Sequence, residues 1–321
     1  MQRLEGRAPN AAETYFYTLA ALHEDMHAEN LTLILQTHGY RRPSMRGCAR
    51  IMPPADPDYR PHDVSVPGGT FLLGATCDEP FVFDNEKWAH PVEVAPFRIA
   101  STPVTNAEFQ AFVDDGGYRS RECWSRRGWD WRRREGVEHP LFWRRDRDGR
   151  WSQRCFDALE PLDPWHPVVH VNWYEAEAFC QWAGRRLPTE AEWEMAATLD
   201  VGTGEKRRFP WGDEPPSPDR ANLDYRAGGT IDVRALPCGD SSAGCRQMIG
   251  NVWEWVEDTF EPYPGFVSDP YAEYSAPYFG QKKVLRGGGW TTRSRLIRPT
   301  WRNFYKRQRR NVLAGFRTAA R

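Results

Sequence analysis

No apolar run in this 321-residue chain approaches the ~18–20 residues that a membrane-spanning helix needs, which excludes a helical membrane protein. The start of the chain, MQRLEGRAPNAAETYFY, lacks the apolar core and small-residue cleavage site of an export signal, so the expected location is cytoplasmic. Net charge is also nearly missing: 43 Lys and Arg against 44 Asp and Glu leave −1, and no global field draws the chain to nucleic acid or a membrane surface. Cysteines are few. The seven (Cys48, Cys77, Cys123, Cys155, Cys180, Cys238 and Cys245) are odd in number and scattered without a C-x-x-C pair, which indicates neither a disulfide framework nor a thiolate zinc site. What the sequence has in plenty is Gly and Pro, 26 of each, and 15 Trp, a composition for a loop-rich fold whose turns are pinned by buried indoles. A helical bundle alone does not fit it.

Thr14 to Thr37 contains no Gly or Pro and carries Leu19, Leu22, Met26 and Leu33 at helical spacing, so it reads as one helix ended near Gly39. A Pro-rich linker is predicted from Pro43 to Pro67. Beyond it, Phe71 to Gly74, Val92 to Ile99, Val168 to Val171 and Lys283 to Leu285 are short apolar runs bounded by Gly or Pro and read as strands. Helices are predicted from Asn106 to Val113 and from Asn172 to Ala183, and a third begins at Thr189. Thr105 with Glu108, and Thr189 with Glu192, have capping-box spacing. The fold class is therefore α+β.

The most chemical segment is LHEDMHAE, Leu22 to Glu29. His23 and His27 stand at i and i+4, which on a helix places both imidazoles on one face, close enough for one metal ion. Glu29 lies around the helix from His27 and is suited only to a supporting role. The string also matches H-E-x-x-H, in which Glu24 would be the general base of a zinc protease, but the extension H-x-x-G-x-x-H is absent.

Seven segments occur in order: VPGGTFLLG, FRIASTPVTNAEFQAFVDDGGY, HPVVHVNWYEAEAFCQWAGRRLPTEAEWEMAA, FPWGDEPP, GCRQMIGNVWEWVED, VLRGGGW and AGFRTA. Together they resemble the formylglycine-generating-enzyme type domain, a C-type-lectin-like α+β fold, over residues 61–321. The formylglycine-generating enzymes hold copper with a cysteine pair near the C-terminus. No cysteine follows Cys245 here, which argues against that activity. The H-x-x-x-H-x-E helix joined to this domain resembles instead the iron-dependent sulfoxide synthases of ergothioneine biosynthesis, in which a DinB-like helical bundle precedes the lectin-like domain. LHEDMH, FVFDNEKWAHPVEVAPFRIA (81–100) and TWRNFY (300–305) are most similar to the selenoneine synthases of that group.

The resemblance implies residues 1–60 as a shortened DinB-like segment and linker. It also implies Fe(II) at His23 and His27, and oxygen-dependent bonding of selenium, or sulfur, to carbon 2 of hercynine, N-trimethylated histidine. The partners are then hercynine, O2 and a selenosugar or a thiol such as cysteine. An inactive lectin-like binding or scaffold module is the non-enzymatic alternative. Asn303, Phe304 and Tyr305 align with the hercynine-binding loop, where N-W-D is commoner; the departure disfavours a glutamylcysteine donor. The expected roles are aromatic faces for the trimethylammonium from Phe304 and Tyr305, orientation of the amino-acid end by Asn303, and proton donation by Tyr305. Met26 falls where a substrate-touching Gln is usual. Asn251 and Glu254 fall where lectin-like relatives bind Ca2+.

The family's third iron-binding histidine comes from an upstream helix, and no histidine precedes His23 in this chain. His38, His62 and His90 are chemically suited substitutes with nothing to place them near the pair. The expectation is a shortened chain with a poorly ordered N-terminal helix and negligible turnover, restored by an upstream extension. The 13 Lys and Arg from Lys282 to Arg321, with no acid among them, suggest nucleic acid. Their positions in VLRGGGW and AGFRTA predict internal partners instead.

Overall fold

Helix α1 (Ala11–His38) is closed at both ends by local chemistry. Asn10 and Glu13 form a reciprocal capping box, and Gly39, left-handed at φ 68°, ends it. The computed structural model describes residues 10–43 and 52–321; Cys48 and residues 44–51 of the expected linker lie outside them. Asp25, Glu29, Thr32 and Gln36, at intervals of four, three and four, form a polar stripe buried against the rest of the molecule. Arg295 clasps Asp25 at 2.7 and 2.9 Å, Trp253 and Thr292 donate to Glu29 at 2.7 and 2.8 Å, and Gln36 bonds the backbone of Arg154 and Phe156. The Arg154 guanidinium in turn caps the Gln36 and Thr37 carbonyls at the helix C-terminus. Leu19, Leu22 and Leu33 flank the stripe and join the main core. The outward face leaves Phe16, Tyr17, Leu31 and Ile34 exposed, Leu31 at 56%.

The strands follow as β1 (Asp63–Val66), β2 (Gly69–Leu73), β3 (His90–Val94) and β4 (Phe97–Ala100). The predicted run from Val92 to Ile99 thus divides in two at Ala95 and Pro96, since proline cannot serve a ladder. Next come α2 (Asn106–Asp114), α3 (Arg126–Glu135), β5 (Trp143–Arg145), β6 (Trp151–Cys155), β7 (Ala158–Pro161), α4 (Trp173–Trp182), β8 (Arg185–Arg186) and α5 (Glu190–Thr198). β9 (Trp253–Thr259), β10 (Lys283–Arg286), β11 (Asn303–Tyr305), β12 (Ala314–Gly315) and β13 (Ala319–Ala320) complete the chain. Val168–Val171 is not a strand but a buried loop, whose Val168 N–H is taken by the Val104 carbonyl.

Two four-stranded sheets, β1-β4-β13-β8 and β11-β10-β9-β12, carry the core. Phe304 sits opposite Val284 in the antiparallel β10–β11 pair, and Asn303 opposite Leu285. Trp193, Trp253 and Trp255 are buried completely or nearly so, as the composition implies. Trp253 ties β9 to α1 through Glu29.

Candidate active site

The i, i+4 spacing brings the imidazoles of His23 and His27 edge to face with centroids 4.5 Å apart. Burial, reinforced by the charge of His27 and opposed by Glu24, lowers the pKa of His23, so its ring is held neutral with a lone pair to offer. His27 and Glu24 face outward. Among the described residues no third His, Cys, Asp or Glu joins the pair into a metal cluster. His38 lies beside Tyr40, His62 bonds the Arg60 carbonyl, and His90 packs against Tyr263.

Against the pair stands an aromatic loop that the sequence reading passed over. The Tyr271 ring meets His23 edge-on at 5.8 Å. Tyr274 donates to Met26 Sδ at 3.9 Å, accepts from Trp301 Nε1 at 3.5 Å and stacks on Phe83 at 4.7 Å. Burial raises the Tyr274 pKa and keeps its proton on the oxygen. The same ring meets Phe304 edge-on at 6.1 Å, so Met26, Tyr274 and Phe304 form a continuous path from α1 to β11. Tyr271, Tyr274 and Tyr278, spaced three and four apart, were the available signal for this loop.

Phe304 has its neighbours already. Phe260 stacks on it at 4.0 Å, and the Lys282 ammonium lies 4.9 Å from its centroid and 3.5 Å from that of Tyr278. A cation of the chain itself therefore occupies the aromatic surface expected for trimethylammonium. Asn303 Oδ1 accepts from the Phe304 N–H at 2.8 Å. Tyr305 lies under the Arg309 guanidinium at 4.3 Å, and its pKa is raised by burial and by the charge of Glu29. The ring at His23 is thus Tyr271, while Tyr305 stands on the Arg309 side.

The expected calcium residues are spent on other bonds. Asn251 accepts from Asn222 and Ile231 and donates to Ile231 and Gln247. Glu254 accepts from Arg317 at 2.7 and 2.8 Å and from Trp193 Nε1 at 2.8 Å, so a guanidinium already neutralises it. Neither side chain fits a calcium site. The C-terminal arginines do find internal acids: Arg286 with Glu190 and Glu194, Arg298 with Glu86, Arg302 with Glu190, and Arg310 with Glu175.

With the fold and this geometry in view, comparison with known proteins defines the class. The chain belongs to the family of sulfatase-modifying factor enzyme 1-like domains, whose profile matches residues 50–321. It is 42% identical over 319 residues to a hercynine oxygenase of Mycolicibacterium thermoresistibile, covering 98% of this chain and 70% of that protein. It is 33% identical over 288 residues to a formylglycine-generating enzyme of Streptomyces coelicolor, covering 77% of this chain and 84% of that protein. The solved structure of PvdO from Pseudomonas aeruginosa has the same fold, with TM-score 0.56 and 24% identity over 84% of this chain and 99% of the other.

Proposed function

We propose that the chain is an iron(II)-dependent oxygenase that joins a chalcogen to carbon 2 of the hercynine imidazole, with a selenosugar as donor. The observation that carries this reading is the His23–His27 pair, set against Tyr271 and tied through Met26 and Tyr274 to Phe304. Similarity to a hercynine oxygenase along almost the whole chain supports the substrate. Two neutral imidazoles fit part of an Fe(II) ligand set that leaves positions open. When bound, the metal supplies activation of dioxygen for electron transfer.

The overall change balances as one C–H, one Se–H and one O2 giving a C–Se bond, one oxygen on selenium and one molecule of water. The chain's residues position and shield. The proton at the site is held by a tyrosine hydroxyl, that of Tyr305 or that of Tyr271, whose ring meets His23. Tyr274 fixes Met26 and closes the apolar wall. Asn303 stays with the β11 backbone, and Phe304 offers the trimethylammonium a face once Lys282 moves aside.

Anaerobic Fe(II) titration followed by calorimetry tests the reading. Iron should bind weakly, at one per chain, and be lost in the His23→Ala/His27→Ala variant; hercynine should bind more tightly than histidine. Unchanged iron in the variant, or equal affinity for the two amino acids, would refute it.

A further inference from the structure

The string FVFDNEK, Phe81 to Lys87, has no assigned part in the proposed reaction, yet it holds both ends of the aromatic loop that meets the histidine pair. At one end the Lys87 ammonium clasps the Asp269 carboxylate at 2.6 and 2.8 Å. At the other, the Ser275 hydroxyl donates to Asp84 Oδ1 and accepts from Asn85 Nδ2 at 2.9 Å, so it is used in both directions and its orientation is fixed. Tyr271 and Tyr274 lie between these two anchors. Phe83 stacks on the Tyr274 ring at 4.7 Å, and Phe81 stacks at 5.7 Å on Tyr15 of α1, whose hydroxyl is shared with Asp269 and the Tyr271 backbone.

An anchor positions only if it is itself held. Asp84–Glu86 form one 3-10 turn, buried completely or nearly so, and its own bonds run to the scaffold. Glu86 accepts from Arg298 Nε at 2.8 Å and from Thr300 at 2.7 Å, and the Asn85 carbonyl accepts from Arg302 at 2.8 Å. From that base the Asp84 and Asn85 side chains meet Ser275 at a cost. Asp84 Oδ2 and Asn85 Oδ1 have no partner, and the Lys87 ammonium three residues on is spent on Asp269, so that burial and the charge of Asp269 raise the Asp84 pKa. Buried polar groups so incompletely answered detract from stability, while the bonds they do make specify one arrangement of the loop.

We propose that Asp84, Asn85 and Ser275 are positioning residues that pin the Tyr271–Tyr274 loop against His23 and Met26, a role that rests on that loop being a wall of the active site. A displacement of about 1 Å at a reacting group can cost on the order of 100-fold in rate, so the pin bears on turnover without touching substrate.

Methionine-methyl NMR on the full chain, with neither iron nor hercynine added, tests the pin. The Met26 sulfur meets the Tyr274 hydroxyl, so its methyl reports the loop, while Met195 and Met248, 1% and 0% exposed, report the core. In Ser275→Ala the Met26 signal should move at least halfway to the position of free methionine, with Met195 and Met248 unmoved. Asp84→Ala should do the same. Asp84→Asn keeps an acceptor for the serine hydroxyl and removes a buried charge, so it should hold the wild-type position with an equal or higher thermal midpoint. Lys87→Met frees the other end from a part-exposed position and stands in for Ser275→Ala should that variant fold poorly. In the aerobic reaction at excess iron, Ser275→Ala should lower kcat about 10- to 100-fold and leave the KM for hercynine within about threefold. Met26 unmoved in the serine variant or its stand-in, all three methyls moving together, Asp84→Asn acting like Asp84→Ala, or unchanged kcat would overturn the proposal. Failure of the two readings is distinguishable: no adduct from the wild type speaks against the hercynine reading, while a displaced Met26 methyl still supports the pin.

Discussion

Lys282 shows how one side chain can set the selectivity of a site. Its ammonium already sits on the faces of Tyr278 and Phe304, where burial and the charges of Arg309 and Lys306 lower its pKa to about 8. A trimethylammonium must displace it or be repelled. Lys282→Met should therefore tighten hercynine binding by about 3- to 30-fold, the equivalent of about 0.5–2 kcal/mol of competing cation–π contact. Phe304→Ala should weaken it by a similar factor. Calorimetry reads both, and weaker binding in Lys282→Met would mean that the ammonium holds the ligand instead. His170 gives a pH-dependent counterpart. Its folded pKa of about 3 lies below the ordinary value of 6.5, so as pH falls below about 6.5 the unfolded chain takes up a proton that the folded chain refuses. Between pH 6.5 and 5 the wild type should lose about 2 kcal/mol more stability than His170→Asn, by denaturant titration at each pH. The sequence made the histidine pair legible because both residues obey one helical period. Tyr271 and Lys282 were not legible, because each matters only through a ring that the fold brings from elsewhere.

At the scale of elements, α1 is held by polar groups of unequal worth. Glu29 is buried and hydrogen-bonded by Trp253 and Thr292, so Glu29→Ala leaves the indole N–H unanswered and should cost about 2–3 kcal/mol. Arg295, although bidentate on Asp25, is largely exposed, and Arg295→Ala should cost no more than about 1 kcal/mol. Hydrogen exchange across α1 separates the two: Glu29→Ala should speed exchange throughout the helix, and equal effects would contradict this ranking. Helix ends were readable because Thr105, Asn172 and Thr189 are N-caps whose third residue is Glu. α3 escaped because RRGWDWRRRE buries only Gly128 and Trp131 among charges. The β5–β7 sheet escaped because most of it is neither fully buried nor clearly alternating. The run Val168–Val171 misled for the opposite reason: a loop buried on all sides has the same apolar composition as a core strand.

Across the molecule, buried ion pairs join the C-terminal segment to the core. Burial alone would raise Glu190 and Glu194, but Arg302 and Arg286 around the first, and Lys206 and Arg286 around the second, outweigh it and lower both. Stability from these carboxylates is thus full above the ordinary glutamate range and is lost as pH falls through the depressed values. Glu194→Ala would leave the buried Arg286 guanidinium with Glu190 alone of its two carboxylates and take the ion-pair partner of Lys206, and should cost about 3–5 kcal/mol, seen as a large fall in thermal midpoint at neutral pH. The arginine-rich C-terminus was legible as scaffold for this reason, whereas the partner of each arginine required the fold. The central claim remains chemical, and mass spectrometry of an aerobic reaction tests it most directly. With hercynine, a selenosugar or cysteine, and Fe(II) from stoichiometric to large excess, the account predicts negligible product at stoichiometric iron. A hercynine–selenium adduct should appear at excess iron, require O2, exceed the cysteine adduct, and vanish in His23→Ala/His27→Ala. No adduct with either donor at saturating iron, or an adduct that survives loss of both histidines, would contradict it.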